Sequence, residues 1–196
     1  MKTGLLLGGL LLIGALSVGI YNAVAVTDDR DDEPEFFTNN ITNNTPSNIT
    51  DDPANEITTT GDWINTNENL TLEKLKGKVV LIEFWTFGCY NCTNTIPHLN
   101  EWYGKYKDKG LEIIGIHCPE FDNERNPDNV RENVKDLGIE YPVLIDNEFK
   151  NWYNYDVHAW PTIFILDKNG VERYKKVGEK GYKKTEAVIN ELLAEE

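Results

Sequence analysis

The chain has 196 residues, of which 33 are acidic and 19 are basic, and its formal net charge is −14. A chain of this length accommodates one domain with additional segments, and its acidic balance argues against nucleic acid as a partner. Its three cysteines are too few for a small scaffold that is held together by disulfides.

Residues 1–26 are predicted to be a targeting segment. Lys2 supplies a positive end, and residues 4–20 are almost wholly apolar. Residues 23–25, Ala-Val-Ala, have the small-x-small form of a signal-peptide cleavage site. The apolar run is also nearly long enough to span a membrane, which takes about 20 residues. A cleaved signal peptide and a retained membrane anchor therefore both remain open. In either case we expect the rest of the chain to be extracytoplasmic, membrane-anchored or secreted.

Residues 27–60 are predicted to be a disordered acidic linker. Asp, Asn and Thr dominate this stretch, three prolines interrupt it, and no apolar periodicity runs through it. Such a composition buries too little apolar surface to offset the entropy lost on ordering. The folded domain is expected to start near Ile57 or Trp63, and we assign it residues 61–196.

A redox motif follows the first strongly apolar stretch of this domain. Residues 79–84 form a short apolar run, typical of a buried parallel strand. Cys89, Tyr90, Asn91 and Cys92 follow where that strand leads into a helix. Unpaired N–H groups and the positive end of the helix dipole favour the thiolate there, which is the form that attacks disulfides. The spacing indicates a pair that alternates between dithiol and disulfide.

The remaining pattern predicts an α/β domain with the element order βαβαβαββα and a mixed sheet. The first helix should run to about residue 109 with a kink at Pro97. Pro127 opens the next helix, and the last helix buries Val188, Ile189 and Leu192. The further strands are expected at residues 111–116, 142–145, 161–166 and 171–176, with a short helix over residues 148–155.

From about residue 63 to residue 193 the chain resembles the thioredoxin superfamily, specifically its exported TlpA-like and DipZ-like branch. The resemblance implies a thioredoxin fold, in which helices flank a mixed central sheet, with an N-terminal extension and an inserted helix. The features that carry it are Trp85 followed by Cys89 and Cys92, an acid in the strand at Glu83, Pro97 after the second cysteine, and the late pair Trp160-Pro161.

The resemblance also implies roles for these residues. Cys89 is the expected nucleophile, and Cys92 resolves the mixed disulfide. Glu83 interrupts an apolar strand, where burial would raise its pKa and suit it to exchange a proton with Cys92; the alternative is an edge position in contact with water. Pro161 is expected to be cis.

Four residues are the candidate substrate-binding residues: Trp160, Pro161, Tyr90 and Asn91. Cys118 has two interpretations, as an auxiliary thiol near the site or as a small buried side chain. His117 and His158 are expected to be structural or exposed.

The predicted function is thiol-disulfide oxidoreduction on protein thiols or disulfides. The redox-active dithiol is the only expected prosthetic group, without metal or other cofactor. The resemblance suggests a membrane thiol-transfer protein as electron donor and a role as reductant in cytochrome maturation. The alternatives are a copper-binding module like the Sco proteins, which share the fold but space their cysteines differently, and a thiol peroxidase. Half of a zinc site is disfavoured because no second Cys-x-x-Cys follows.

Overall fold

The computed structural model describes residues 53–195. The predicted targeting segment, residues 1–26, and residues 27–52 of the predicted linker lie outside this range, so both remain predictions. None of the helices within residues 53–195 is long and apolar enough to cross a bilayer.

The described residues form a six-stranded sheet and four α-helices. The strands are β1 (Trp63–Ile64), β2 (Val79–Trp85), β3 (Leu111–His117), β4 (Val143–Ile145), β5 (Thr162–Leu166) and β6 (Glu172–Val177). The helices are α1 (Tyr90–Tyr106), α2 (Pro127–Asp136), α3 (Lys150–Asn154) and α4 (Tyr182–Ala194). The sheet order is β1-β4-β3-β2-β5-β6. The central strands β2, β3 and β4 are parallel, and β1, β5 and β6 run antiparallel to their neighbours.

The observed order from β2 to α4 confirms the predicted α/β architecture with its mixed sheet. The additional strand is β1, whose two residues pair with β4 and are too few to produce an alternating pattern. Helix α1 continues through Pro97 to Tyr106, so this proline does not end the helix, although it removes one backbone N–H.

The central strands are covered on both faces. Every residue of β2 and of β3 is buried, as expected for parallel strands between layers of helices. Leu81 and Trp85 of β2 belong to the same core cluster as Leu99 of α1, while Ile82 and Phe84 pack in a second cluster. Because side chains alternate along a strand, Glu83 is directed toward the α1 side.

The N-terminal boundary of the domain lies earlier than the assigned residue 61, and Pro53 precedes even the alternative start near Ile57. Ile57 is buried in the core, Pro53 forms an antiparallel bridge with Val171, and the Thr58 N–H donates to Asn151 Oδ1 over 2.8 Å. Residues 53–60 therefore belong to the folded domain, contrary to the predicted linker boundary at residue 60. A single isoleucine among polar residues gives no periodicity, and the groups that hold this arm lie about a hundred positions away along the chain.

Candidate active site

The redox motif lies at the junction between β2 and α1. Cys89 is the N-cap residue of α1, and its sulfur accepts a hydrogen bond from the Cys92 N–H over 3.3 Å. A disulfide joins Cys89 to Cys92, with their Cα atoms 5.3 Å apart. The helix N-terminus thus directs unpaired N–H groups at the sulfur that would carry negative charge in the reduced protein.

The two sulfurs differ in their access to solvent. Cys89 is only partly buried, whereas Cys92 is fully buried on the core side of α1. Tyr90 is 77% exposed, and Asn91 is also exposed. An approaching molecule would therefore meet Cys89 together with the two intervening side chains, and would not reach Cys92 directly.

Glu83 lies beneath the first turns of α1 and is completely buried. Its Oε1 is 2.5 Å from the Thr95 hydroxyl, and its Oε2 is 3.4 Å from the Tyr141 hydroxyl. Burial raises the pKa of Glu83 to about 8, although these two hydrogen bonds and the charge of Lys176 lower it in part. The predicted interior position is correct, and the edge alternative is wrong.

Thr95 connects this carboxyl group to the redox helix. Its hydroxyl also lies 2.7 Å from the carbonyl oxygen of Cys92. A hydroxyl has one proton to donate, so when Thr95 donates to the Cys92 carbonyl, the protonated Glu83 carboxyl donates to Thr95. The raised pKa of Glu83 is consistent with that protonated form at neutral pH.

The Trp160–Pro161 pair lies at the same end of the sheet as the disulfide. Thr162, directly after Pro161, pairs with Phe84 near the end of β2. The Trp160–Pro161 peptide bond is cis, as the resemblance implied. Trp160 is partly buried and packs against the same core cluster as Cys89. All four candidate substrate-binding residues therefore belong to segments that meet at this end of the sheet.

His117 is the last residue of β3, Cys118 follows it, and both side chains are buried. His117 Nε2 lies 3.2 Å from the Thr86 hydroxyl, and burial lowers the pKa of His117 to about 4. The Cys118 thiol is 3.7 Å from Asp146 Oδ2, and burial raises the pKa of this thiol. The buried-side-chain interpretation of Cys118 agrees with this placement. His158, by contrast, is exposed.

Two residues of the site, Thr95 and Glu124, were not predicted from the sequence. Thr95 lies three positions after Cys92, so helical spacing could have placed it on the same face of α1. Glu124 gave no comparable signal, because it lies in a polar loop between β3 and α2. Its buried Oε1 accepts the Gly88 N–H over 2.8 Å.

A mixed sheet with a disulfide-bonded Cys-x-x-Cys motif at the start of a helix, and a cis-proline at the same end of the sheet, defines a thioredoxin-like protein. A solved thioredoxin-like protein in its oxidized form superimposes with a TM-score of 0.65 at 29% identity, covering 72% of this chain and 95% of that one. The thiol-disulfide isomerase from Corynebacterium glutamicum, at 24% identity, has the same fold with a TM-score of 0.63 over 73% of this chain and 98% of that one. The predicted thioredoxin fold is confirmed.

Residues 50–175 match the AhpC/TSA family, and the chain belongs to that family. Protein DipZ of Mycobacterium bovis is 44% identical over 133 residues, which are 67% of this chain but only 19% of DipZ. The thiol-disulfide oxidoreductase YkuV of Bacillus subtilis is 30% identical over 144 residues, covering 73% of this chain and 95% of YkuV. The predicted relationship to DipZ and to thiol-disulfide oxidoreductases is confirmed.

Proposed function

We propose that this protein is an enzyme that exchanges a disulfide between its Cys89–Cys92 pair and protein substrates. The observation that carries the proposal is the asymmetry of the pair: a partly exposed sulfur at the N-terminus of α1 is bonded to a fully buried one. That arrangement supplies one nucleophile for substrates and one internal thiol to release them.

The reaction transfers two electrons between the dithiol of one protein and the disulfide of the other. The Cys89 thiolate attacks a substrate disulfide, forming a mixed disulfide and expelling one substrate sulfur as a thiolate. Cys92 then attacks the Cys89 sulfur, which forms the internal disulfide and releases the second substrate sulfur. The substrate gains two electrons that the dithiol loses, and the reverse sequence oxidises a substrate dithiol.

Glu83 is the proposed proton relay for the second step. Cys92 must lose its proton before it attacks. Glu83 lies beneath the helix turn that contains Cys92, and the Thr95 hydroxyl contacts both the Glu83 carboxyl group and the Cys92 carbonyl oxygen. A pKa of about 8 lets the carboxyl group accept a proton and return it near neutral pH, which is what general acid–base catalysis requires. Glu83 thereby serves both directions of exchange.

Trp160, Pro161, Tyr90 and Asn91 are the proposed substrate contacts. Tyr90 and Asn91 are exposed next to Cys89, and Pro161 begins the segment that runs into β5 at the same end of the sheet. An extended polypeptide lying across this end would meet Cys89 and the Trp160–Pro161 pair together. The proposal requires no metal or organic cofactor beyond the dithiol.

We propose an extracytoplasmic site of action, with the chain either anchored in the membrane or secreted. The support is the apolar segment within residues 1–26 and the acidic stretch that follows it. A membrane thiol-transfer protein is the proposed electron donor, and a reductant role in cytochrome maturation follows from the resemblance to the TlpA-like branch.

The test is steady-state reduction of a disulfide-bonded protein such as insulin, with dithiothreitol as the electron source. We expect turnover by the wild type and none by the Cys89→Ser variant. Peroxide-dependent turnover that survives the Cys92→Ser substitution would instead indicate a thiol peroxidase. Stoichiometric Cu(I) bound through Cys89, Cys92 and a histidine, without disulfide turnover, would indicate a copper-binding protein.

A further inference from the structure

Glu124 is a buried carboxylate that ties the loop after β3 to the redox loop. Its side chain is completely inaccessible to solvent. Oε1 accepts the Gly88 N–H over 2.8 Å, and Oε2 accepts the N–H groups of Glu120 over 2.5 Å and Phe121 over 2.9 Å. Three backbone donors on one carboxylate form a strong, charge-assisted connection, and one of these donors directly precedes Cys89.

The fit between Glu124 and Gly88 is close. A Cβ atom at position 88 would lie 2.2 Å from Glu124 Oε1, well inside any van der Waals distance. Any side chain at position 88 would therefore displace the carboxylate or the loop. The glycine allows the carboxylate to reach the backbone N–H next to Cys89, so the two residues form one positioning contact.

Within the part of the chain that the structure describes, no cationic side chain forms an ion pair with this carboxylate. The neighbouring ring of His117 is neutral at pH 7, because its pKa is lowered to about 4. A negative charge held by N–H dipoles in a buried position acts on nearby groups with little screening. Cys89 is such a group, because the Gly88 N–H that donates to Glu124 belongs to the residue directly before it.

We propose that Glu124 is a positioning residue that holds Cys89 in the geometry of the disulfide and lowers the reduction potential of the Cys89–Cys92 pair. Two effects act in the same direction. The tether keeps Cys89 close to Cys92, which favours ring closure over the open dithiol. The negative charge disfavours the Cys89 thiolate, and therefore the reduced form.

Any effect of Glu124 on substrate exchange rests on the proposed function, but the test measures the equilibrium of the Cys89–Cys92 pair itself. The equilibrium between the disulfide and glutathione at pH 7 is measured for the wild type, Glu124→Gln and Gly88→Ala. We expect each variant to shift the equilibrium constant toward the dithiol about tenfold, which corresponds to about 30 mV. Gly88→Ala leaves the charge in the protein but displaces the contact, so it tests the tether if Glu124→Gln folds poorly.

The matched control is Asp167→Asn. Asp167 is also a buried carboxylate that accepts backbone N–H groups, from Asn169 and Val171. It follows Leu166, which pairs with Val80 at the start of β2, so it lies at the opposite end of the sheet from the disulfide. We expect this variant to lose stability but to keep the wild-type equilibrium constant within about twofold.

A double variant separates the specific contact from general damage. With Ala at position 124 the methyl group of Ala at position 88 has room, so Gly88→Ala should add little to the shift caused by Glu124→Ala. Equilibrium constants equal to wild type in folded Glu124→Gln and Gly88→Ala, or shifts that multiply in the double variant, would overturn the inference. A wild type that exchanges no substrate disulfide would overturn the proposed function instead and leave these equilibrium constants as the test of Glu124.

Discussion

Glu83 shows how one residue can couple stability to chemistry. It is the single charged residue in a strand whose members are all buried, and burial is the largest cause of its raised pKa. A carboxyl group that is kept neutral in the folded protein but ionises readily in the unfolded chain makes stability depend on pH. The same property makes it a proton carrier near neutral pH.

The oxidised protein should lose stability as the pH rises from about 6.5 to about 8. The pKa of Glu83 is about 8 in the folded protein and 4.5 in the unfolded chain, so in this window the folded state holds one proton more. The free energy of unfolding therefore falls by about 1.4 kcal/mol per pH unit. Between about 4.5 and 6.5 His117 offsets this slope, because its lowered pKa has the opposite sign. Denaturant unfolding at several pH values measures the slope.

Glu83→Gln should remove the slope between pH 6.5 and 8, since an amide does not titrate. The matched control is Glu112→Gln, which removes another buried strand carboxylate that instead pairs with Lys78. A Glu83→Gln protein that keeps the wild-type slope would show that another group titrates in this range.

The same substitution should slow disulfide exchange. Loss of a general acid–base group costs on the order of 100-fold in rate, and the inflection near pH 8 should disappear from the pH–rate profile. Stopped-flow measurement of mixed-disulfide resolution isolates the step in which Cys92 attacks. An unchanged rate and an unchanged pH profile in Glu83→Gln would remove its role as relay.

At the scale of elements, the junction between β2 and α1 was readable from local sequence, while the parts that surround it were not. The apolar run of β2 and the Cys-x-x-Cys motif lie within a few positions of each other, so pattern and spacing located the disulfide. The contact between Glu124 and Gly88 joins residues 36 positions apart and depends on how the loop after β3 folds back. Sequence periodicity contains no information about such a contact.

The N-terminal arm, residues 53–60, was assigned to the linker, although Ile57 was one of the two expected starts of the domain. Its polar residues resemble a linker in composition, but Asn55 and Thr58 hydrogen-bond to the α3 region of the domain. The arm also places Ile57 in the core cluster beneath β2. Composition indicates only how much apolar surface a segment could bury on average. Here one buried side chain and specific hydrogen-bond partners determine that the segment is folded.

Ile57→Ala should lower the free energy of unfolding by about 2–5 kcal/mol, the usual cost of truncating a buried isoleucine. The control is Val177→Ala, whose side chain is 60% exposed and whose loss should cost about 0.5 kcal/mol or less. Chemical denaturation compares the two variants. If Ile57→Ala is as stable as Val177→Ala, the arm does not contribute to the folded core.

At the scale of the whole molecule, the sequence predicts separate roles for the acidic N-terminal stretch and for the redox domain. The formal charge of −14 suits solubility and argues against nucleic-acid binding. The apolar segment within residues 1–26 is predicted to determine the compartment in which the redox site acts. Its role stays a prediction that depends on the hydropathy and charge pattern of the sequence.

In intact host cells, a membrane-impermeant maleimide should label Cys89 of the full-length reduced protein. Cys118 is buried, so Cys89→Ser is the matched control and should abolish the labelling under native conditions. Labelling of Cys89 only after the cells are lysed would contradict an extracytoplasmic location. Retention of the labelled chain in the membrane fraction, or its release into the medium, distinguishes the anchor from the cleaved signal.

The most direct measurement is to trap the exchange halfway. The Cys92→Ser variant is mixed with a disulfide-bonded protein substrate, and the products are analysed by mass spectrometry. We expect a stable mixed disulfide between Cys89 and the substrate, and none in the Cys89→Ser variant. A folded Cys92→Ser protein that forms no adduct, or an adduct located on Cys118, would contradict it.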